Sequence, residues 1–274
     1  MTTPKRGFLA YATANDRFGH VQDRDNFARM LALPAGIERI DIGIAVSEAR
    51  PRSRRDERDF RDMARALEAS GRFRVAELTF KSNLGRDFSS WRHLLQGFRR
   101  AAAPVDFVLL LNRSAYGPMQ DGWYARYLPA FARHPHLAVC GSSINFEYRR
   151  QVDAGAHTHV QTYAWMSRFS ALERILDDFP GVQAQSRDAA IRDGEVALGR
   201  RWFDLGLGIT SLAWPGQYFD AERHHEPSLP QRNLSGELRD VPFRHWEQHD
   251  LWRARLAPAP YLRRLLAPGA GHGN

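Results

Sequence analysis

Cysteine is almost missing from this chain. Its 274 residues include one, Cys140, so no disulfide can close within it and no cysteine zinc cluster can form. That usage fits a reducing compartment, and a cytoplasmic location is expected. Long hydrophobic runs are missing too. No apolar stretch approaches the ~18 residues that span a bilayer. Lys5-Arg6 is followed by too weak an apolar region, Gly7 to Ala14, for a signal peptide. The sequons at Asn112 and Asn233 are then without consequence. Lysine is scarce, and arginine dominates the 39 basic residues that face 31 acidic ones. Internal repeats and low-complexity tracts are absent.

What is present suits a folded enzyme-sized domain. The length fits one large α/β domain or two small ones. A hydrophobic content of 43% can fill a core. The formal charge of +8 is diffuse. Arginine forks suit phosphate or carboxylate, although net charge alone also serves solubility. The basic residues do not interleave with aromatics as stacking platforms require, so nucleic acid is not an expected partner.

Strand and helix patterns alternate through the first 112 positions, the signature of a largely parallel sheet. Phe8 to Ala12, Ile37 to Val46, Phe73 to Phe80 and Phe107 to Leu111 read as strands. Asp25 to Leu33 reads as a short helix. Phe60, Met63 and Leu67 have helical spacing ahead of a capping Gly71. Phe88, Trp91, Leu95 and Phe98 mark a further apolar stripe. Beyond these, helices are expected at Trp123 to Phe131, Phe169 to Phe179 and Gly194 to Gly206. Strands are expected at Leu137 to Ile144, His159 to Trp165 and Leu207 to Trp214. From Pro215 the periodicity weakens. Residues 215–274 read as an extended C-terminal segment with one helix around Trp246 to Leu256, and Ala267 to Asn274 read as disordered.

Ligands of α/β proteins bind where strands end and helices begin. Two such places stand out. Asn83-Leu84-Gly85-Arg86-Asp87 leads into a helix. Gly85 permits a tight turn, Arg86 suits a phosphate oxygen, and Asp87 suits a ribose or base. The same Asp is an ordinary helix cap and Asn83 an ordinary turn residue. Asn112-Arg113-Ser114 ends the apolar strand and precedes the turn Gly117-Pro118; these residues serve either a pocket or the turn. His157, His159 and Gln161 share one face of a strand, a polar wall more than a metal site because no third ligand is near. Glu195 follows Asp193-Gly194 at an expected helix start. There it is either a dipole-favoured acid or a base aimed at a substrate hydroxyl, with Asp193 and Asp204 as alternatives. His224-His225 stand together, and His245 and His249 have i, i+4 spacing, but residues 246–248 lack the zincin order.

These pieces, in this order, resemble the rhamnan synthesis protein F family, which looks like the GT-A glycosyltransferases of polysaccharide assembly. The matching stretches are Asn83 to Asp87, Leu110 to Pro118, His159 to Tyr163, and the Glu195 helix ending Asp204-Leu205-Gly206. They cover roughly residues 7 to 212. The resemblance implies an α/β fold with a GT-A-like, mostly parallel sheet flanked by helices. It implies a domain over residues 1–214, with a donor half at about 7–118 and an acceptor half at about 119–214. It implies a nucleotide-sugar donor held by Asn83, Gly85, Arg86, Asp87, Asn112, Arg113 and Ser114. Gly117, His159 and Gln161 would line the sugar or acceptor side, and Glu195 would be the base of an inverting transfer. GT-A enzymes generally carry an Asp-x-Asp metal motif where this chain has Asn112-Arg113-Ser114. No metal ligand is therefore assigned. Magnesium or manganese is the alternative, with Arg113 offsetting the diphosphate charge in its place.

The resulting expectation is a glycosyltransferase of bacterial surface polysaccharide assembly acting on a glycan or lipid-linked glycan acceptor. Tyr261 to Leu266, basic and apolar, suits peripheral contact with the inner membrane face. The rival expectations are a binding module that keeps the pocket without catalysis and, behind it, a nucleic-acid-binding protein suggested by the pI of 10.1.

Overall fold

The computed structural model describes residues 5–17, 19–101, 106–145, 158–223 and 241–246. The chain opens with β1 (Arg6–Ala14), α1 (Val21–Ala32), β2 (Arg39–Glu48), α2 (Arg54–Ala69), β3 (Phe73–Ser82), α3 (Arg86–Arg100) and β4 (Phe107–Asn112). A short β5 (Ala115–Tyr116), a 3-10 turn (Ala125–Tyr127) and α4 (Leu128–Arg133) follow. Next come β6 (Leu137–Gly141), β7 (Ile144–Asn145), β8 (His159–Val160), β9 (Ala164–Arg168) and α5 (Phe169–Glu173). The last described part holds α6 (Arg187–Ala189), a π-helical segment (Ala190–Val196), α7 (Ala197–Asp204), β10 (Gly208–Ser211) and β11 (Arg244–His245).

Seven strands form one sheet in the order β10-β6-β9-β4-β1-β2-β3. β1 runs parallel to β2 and β4, β2 to β3, and β6 to β10, while β9 is antiparallel to both its neighbours. The expected α/β class and mostly parallel sheet are thus observed. Both faces are covered. Phe8, Ala10 and Ala12 of β1 join Trp91, Leu94 and Trp202 on one face. Leu9 and Tyr11 join Phe27, Phe60 and Trp123 on the other. Burial on both faces is why the central strands read as continuous apolar runs. The helix that follows β1 packs on one face and α3, which leads into β4, on the other. The chain therefore changes direction between β1 and β4, the point where such sheets open a crevice.

The later elements differ from the sequence expectation. Trp123 to Phe131 is not one helix. Pro129 sits in the first turn of α4, where proline is tolerated, and the preceding residues form turns that hold the buried Trp123 and Tyr124 and a 3-10 turn that holds the buried Tyr127. The strand expected over Leu137 to Ile144 breaks at Ser142-Ser143 into β6 and β7. The one expected over His159 to Trp165 breaks at a Thr162-Tyr163 turn into β8 and β9. The helix expected to reach Phe179 stops at Glu173 and gives way to turns before Pro180-Gly181. The helix expected from Gly194 starts earlier, at Arg187, where the Ser186 hydroxyl accepts from the Ala189 amide at 3.1 Å.

Residues 215–223 and 241–246 lie against the sheet domain. β11 pairs antiparallel with β5, Phe219 bridges to Ile209, and Val241 and Phe243 are fully buried. The helix expected beyond Trp246, the basic Tyr261 to Leu266, the disorder expected at the C-terminus, Asn233, His157, His224-His225 and His249 lie outside the described residues.

Candidate functional site

The register aligns the strand ends on one edge. Ala14 of β1 stands opposite Ser47 of β2, Glu48 opposite Ser82 of β3, and Ala12 opposite Asn112 of β4. A cavity of about 100 Å³ opens there, lined by Ala14, Asp16, Ser47, Asn83, Arg86, Asp87, Arg113 and Ser114 among others. It lies at the crevice between β1 and β4. Five of the seven residues expected at the donor site line it. The other two shape it from behind.

Gly85 is the first of those two. Its φ of 70° is left-handed, and a Cβ would fall 2.2 Å from the Val182 carbonyl oxygen. Only glycine fits. Its amide donates to the Ala184 carbonyl at 2.9 Å, so the 83–87 turn is bolted to the 182–184 loop. Arg86 follows at φ 46°, also left-handed. A non-glycine residue there is strained, and such strain collects at functional sites.

Asn112 is the second. It is buried, with 7% exposure, and works as a bridge. Its Nδ2 donates to Asp87 Oδ2 at 2.8 Å, and its Oδ1 accepts from the Ser114 amide at 2.9 Å. Trp91 Nε1, one turn into α3, donates to the Leu111 carbonyl at 3.1 Å. The two strand-end motifs are thereby locked together. Arg113 points back across the edge, paired through both terminal nitrogens with Asp16 and donating to the Ala14 carbonyl at 3.1 Å.

The electrostatics are mixed. Burial raises the Asp87 carboxyl above its ordinary value; Arg86, Arg113 and Asn112 hold it down in part, and Glu195 pushes it up. Burial lowers the Lys81 ammonium to about 8, against the pull of Asp87. Lys81 Nζ donates to Ser47 Oγ at 3.3 Å. Lys81, Arg86 and Arg113 thus bring cationic charge to a cleft edge that also holds Asp16 and Asp87.

Glu195 is not at a helix start. It lies within the π-helical segment of a continuous helical stretch from Arg187 to Asp204. Such segments mark functional sites more often than chance. Gly194 makes the fit, since a Cβ there would lie 2.4 Å from the Phe88 ring. Phe88 directly follows Asp87, so this contact brings Glu195 toward the cavity. Glu195 Oε1 accepts from Thr162 Oγ1 at 2.6 Å, and Oε2 stands 3.7 Å from His159 Nε2. Its side chain keeps 23% exposure. Burial raises its carboxyl, with the Thr162 hydroxyl and amide and then Arg187 acting against that rise. Asp193 is exposed and paired with Arg192 at 2.6 Å, and Asp204 is exposed at the far end of α7.

His159, Gln161 and Gly117 do not line the cavity. His159 is buried on β8 beside Glu195. Gln161 lies past the end of β8, accepting from Ser143 Oγ at 2.6 Å. Gly117 is packed away, its would-be Cβ 2.5 Å from the Pro242 carbonyl oxygen and 2.9 Å from the Phe243 ring. His245 lies in β11, its ring 5.7 Å from that of Tyr163. Among the described residues, no group of three or more His, Cys, Asp or Glu side chains is placed to hold a metal ion. No described helix is long and apolar enough to cross a membrane.

Asp16, Ser47, Lys81 and Thr162 were not anticipated. Asp16, Ser47 and Lys81 sit at strand ends on the same edge, so extending the strand-end rule to β1, β2 and the last residues of β3 would have found them. Thr162 carries no local signal. A larger opening of about 550 Å³, around His134, His136, Tyr218, Asp220 and Arg223, lies at the other edge of the sheet, where β6 and β10 begin.

No family model and no curated relative matches the chain. Among solved structures, it is similar to 4-diphosphocytidyl-2C-methyl-D-erythritol synthase from Anaerococcus prevotii, at TM-score 0.43 and 11% identity over 76% of this chain and 86% of that one. It is similar to residues 1–349 of TarS from S. aureus, at TM-score 0.46 and 11% identity over 96% and 75% of the two chains. A third similarity is to mouse xyloside xylosyltransferase 1, at TM-score 0.40 and 9% identity over 70% and 78%.

Proposed function

We propose that this chain is a glycosyltransferase that moves a sugar from a nucleoside diphosphate to a glycan acceptor in surface polysaccharide assembly. One observation carries the reading: Asn83, Arg86, Asp87, Arg113 and Ser114 surround a single cavity at the crevice of the sheet, and Gly194, beside Glu195, packs on Phe88, beside Asp87. The residue-level resemblance to the rhamnan synthesis protein F family supplies the substrate class.

The chemistry would run as follows. Arg86 and Arg113 hold the diphosphate, with Lys81 adding charge beside them. Asn83 and Asp87 take hydrogen bonds from the nucleoside. The acceptor hydroxyl gives its proton to the Glu195 carboxylate while its oxygen bonds to the anomeric carbon. The bond from that carbon to the diphosphate oxygen breaks, and the departing diphosphate leaves with its charge met by the arginines. One base and a stabilised leaving group suffice for inversion. Arg113 stands where the paired acids of an Asp-x-Asp motif would be, and it pairs with Asp16, one of the two carboxylates lining the cavity, so donor binding independent of magnesium or manganese is part of the proposal.

A thermal-shift screen against nucleotides and sugar nucleotides tests it. A ligand that binds only the folded chain raises apparent stability by mass action, by about 2.7 kcal/mol at a hundredfold excess over Kd. One nucleoside diphosphate series should shift the melting temperature while matched nucleosides do not. A flat screen would remove the reading. A binding module without catalysis is the second reading, favoured by the missing Asp-x-Asp. It predicts nucleotide binding with no sugar transfer or donor hydrolysis, whether or not Glu195 is present.

A further inference from the structure

Thr162 and Glu195 lie 33 positions apart in sequence and on different elements. Their contact is built from three pieces. The first is the face shared by Glu195 and Gly199, which stand i, i+4 on the helix. Gly199 seats that face on β8, because a Cβ there would lie 2.7 Å from the Thr158 carbonyl oxygen and 3.2 Å from His159 Cβ. The second is the turn at Thr162-Tyr163, between β8 and β9, which carries Thr162. The third is the contact itself. Thr162 is 2% exposed, and its hydroxyl sits 2.6 Å from Glu195 Oε1. A buried hydroxyl held at this distance on a carboxylate forms a seat, not an incidental surface contact.

We infer that Thr162 is the positioning residue of Glu195: it holds Oε1 fixed and leaves Oε2 as the oxygen presented to a substrate proton. This rests on the reading of Glu195 as the base. Three charged or titratable groups face the carboxylate from the elements around it. They are His159 on β8, Asp87 on α3 and Arg187 at the start of the helical stretch. Thr162 differs from all three in touching the carboxylate at hydrogen-bond distance. Its hydroxyl stabilises the ionised form. Removing it therefore raises the proton affinity of Glu195 and frees the carboxylate to rotate.

The test is a carbon-13 NMR titration of the glutamate side-chain carboxyls in the full chain, with Glu195→Gln identifying the resonance. Thr162→Val keeps the shape and loses the hydroxyl, and Thr162→Ser restores it. The expected result is a Glu195 titration midpoint higher in Thr162→Val than in wild type and returned in Thr162→Ser. With whichever sugar nucleotide shifts the melting temperature, the acid limb of the transfer rate should move by the same amount while donor KM holds. An unchanged midpoint in a folded Thr162→Val overturns the inference. Should Thr162→Val not fold, Thr162→Ala read the same way decides. The titration needs no substrate. If Glu195→Gln transfers sugar at the wild-type rate while Thr162→Val still moves the midpoint, the assignment of the base has failed and the seat stands.

Discussion

Gly85→Ala is the substitution whose consequence follows most directly from the geometry. Two costs add at this position. The left-handed backbone at φ 70° costs a residue with a Cβ about 1–2 kcal/mol. The Cβ would also lie 2.2 Å from the Val182 carbonyl oxygen and 2.7 Å from Ser89 Cβ. The nearer of these is backbone, so the clash is relieved only when the 83–87 turn or the 182–184 loop moves. Forcing a carbon into filled space costs about 1–3 kcal/mol. The sum is about 2–5 kcal/mol. Gly71→Ala is the internal control. It has the same φ of 70°, but nothing lies within 4 Å of its would-be Cβ, so only the backbone cost of about 1–2 kcal/mol applies. Urea titrations of the two variants and wild type, read as midpoint times a common slope, give the comparison. Calorimetry with a nucleoside diphosphate should show weaker binding for Gly85→Ala, since the turn carries Arg86, and unchanged binding for Gly71→Ala. Equal stability losses in the two variants would refute the claim that the 85–182 contact fixes the turn.

Other consequences can be measured separately. Arg86→Ala should weaken nucleoside diphosphate binding by about 1–3 kcal/mol, the scale of a lost charge-assisted hydrogen bond; calorimetry showing unchanged affinity would remove Arg86 from the donor site. Donor binding and turnover should survive a chelator, and a strict requirement for added magnesium or manganese would defeat the arginine-based account of the diphosphate. Burial pushes the Asp56 carboxyl up, but Arg50, Ser53 and His20 more than reverse this and hold it well below the usual carboxylate range. Arg50 donates to it twice, at 2.8 and 2.7 Å. Arg50→Ala should therefore cost about 1.5–3 kcal/mol at neutral pH. A depressed carboxylate contributes stability above its unfolded value of about 3.9 and loses it as pH falls through the folded value. The difference from wild type should accordingly shrink below about pH 4, and a difference that grows in acid would contradict the assignment.

The first half of the fold was legible because its signals are local. Ile40, Ile42, Ile44 and Val46 alternate, and Phe60, Met63 and Leu67 repeat at helical spacing; nothing distant alters either. The clustering of Asn83 to Asp87 with Asn112 to Ser114 was legible for a related reason, because parallel strands place their C-terminal ends on one edge whatever their order. The second half was less so. β6 and β8 are cut short at serines and threonines whose hydroxyls are used by distant partners, as Thr162 is by Glu195 and Ser142 by Tyr127 at 2.7 Å. Asp193-Gly194 looks like a helix start because glycine and acids gather there. In this chain the glycine instead makes room for Phe88, and that long-range requirement leaves no periodic trace. The same holds for Gly117, a turn glycine by sequence that is covered by Phe243 from the far end of the chain.

The most direct test of the account is Glu195→Gln, measured for donor binding and for sugar transfer in the same preparation. The amide keeps the shape of the side chain and removes its basicity. The account predicts nucleotide affinity within error of wild type and transfer lowered roughly 10²–10⁴-fold. Transfer at the wild-type rate by a folded Glu195→Gln would contradict it.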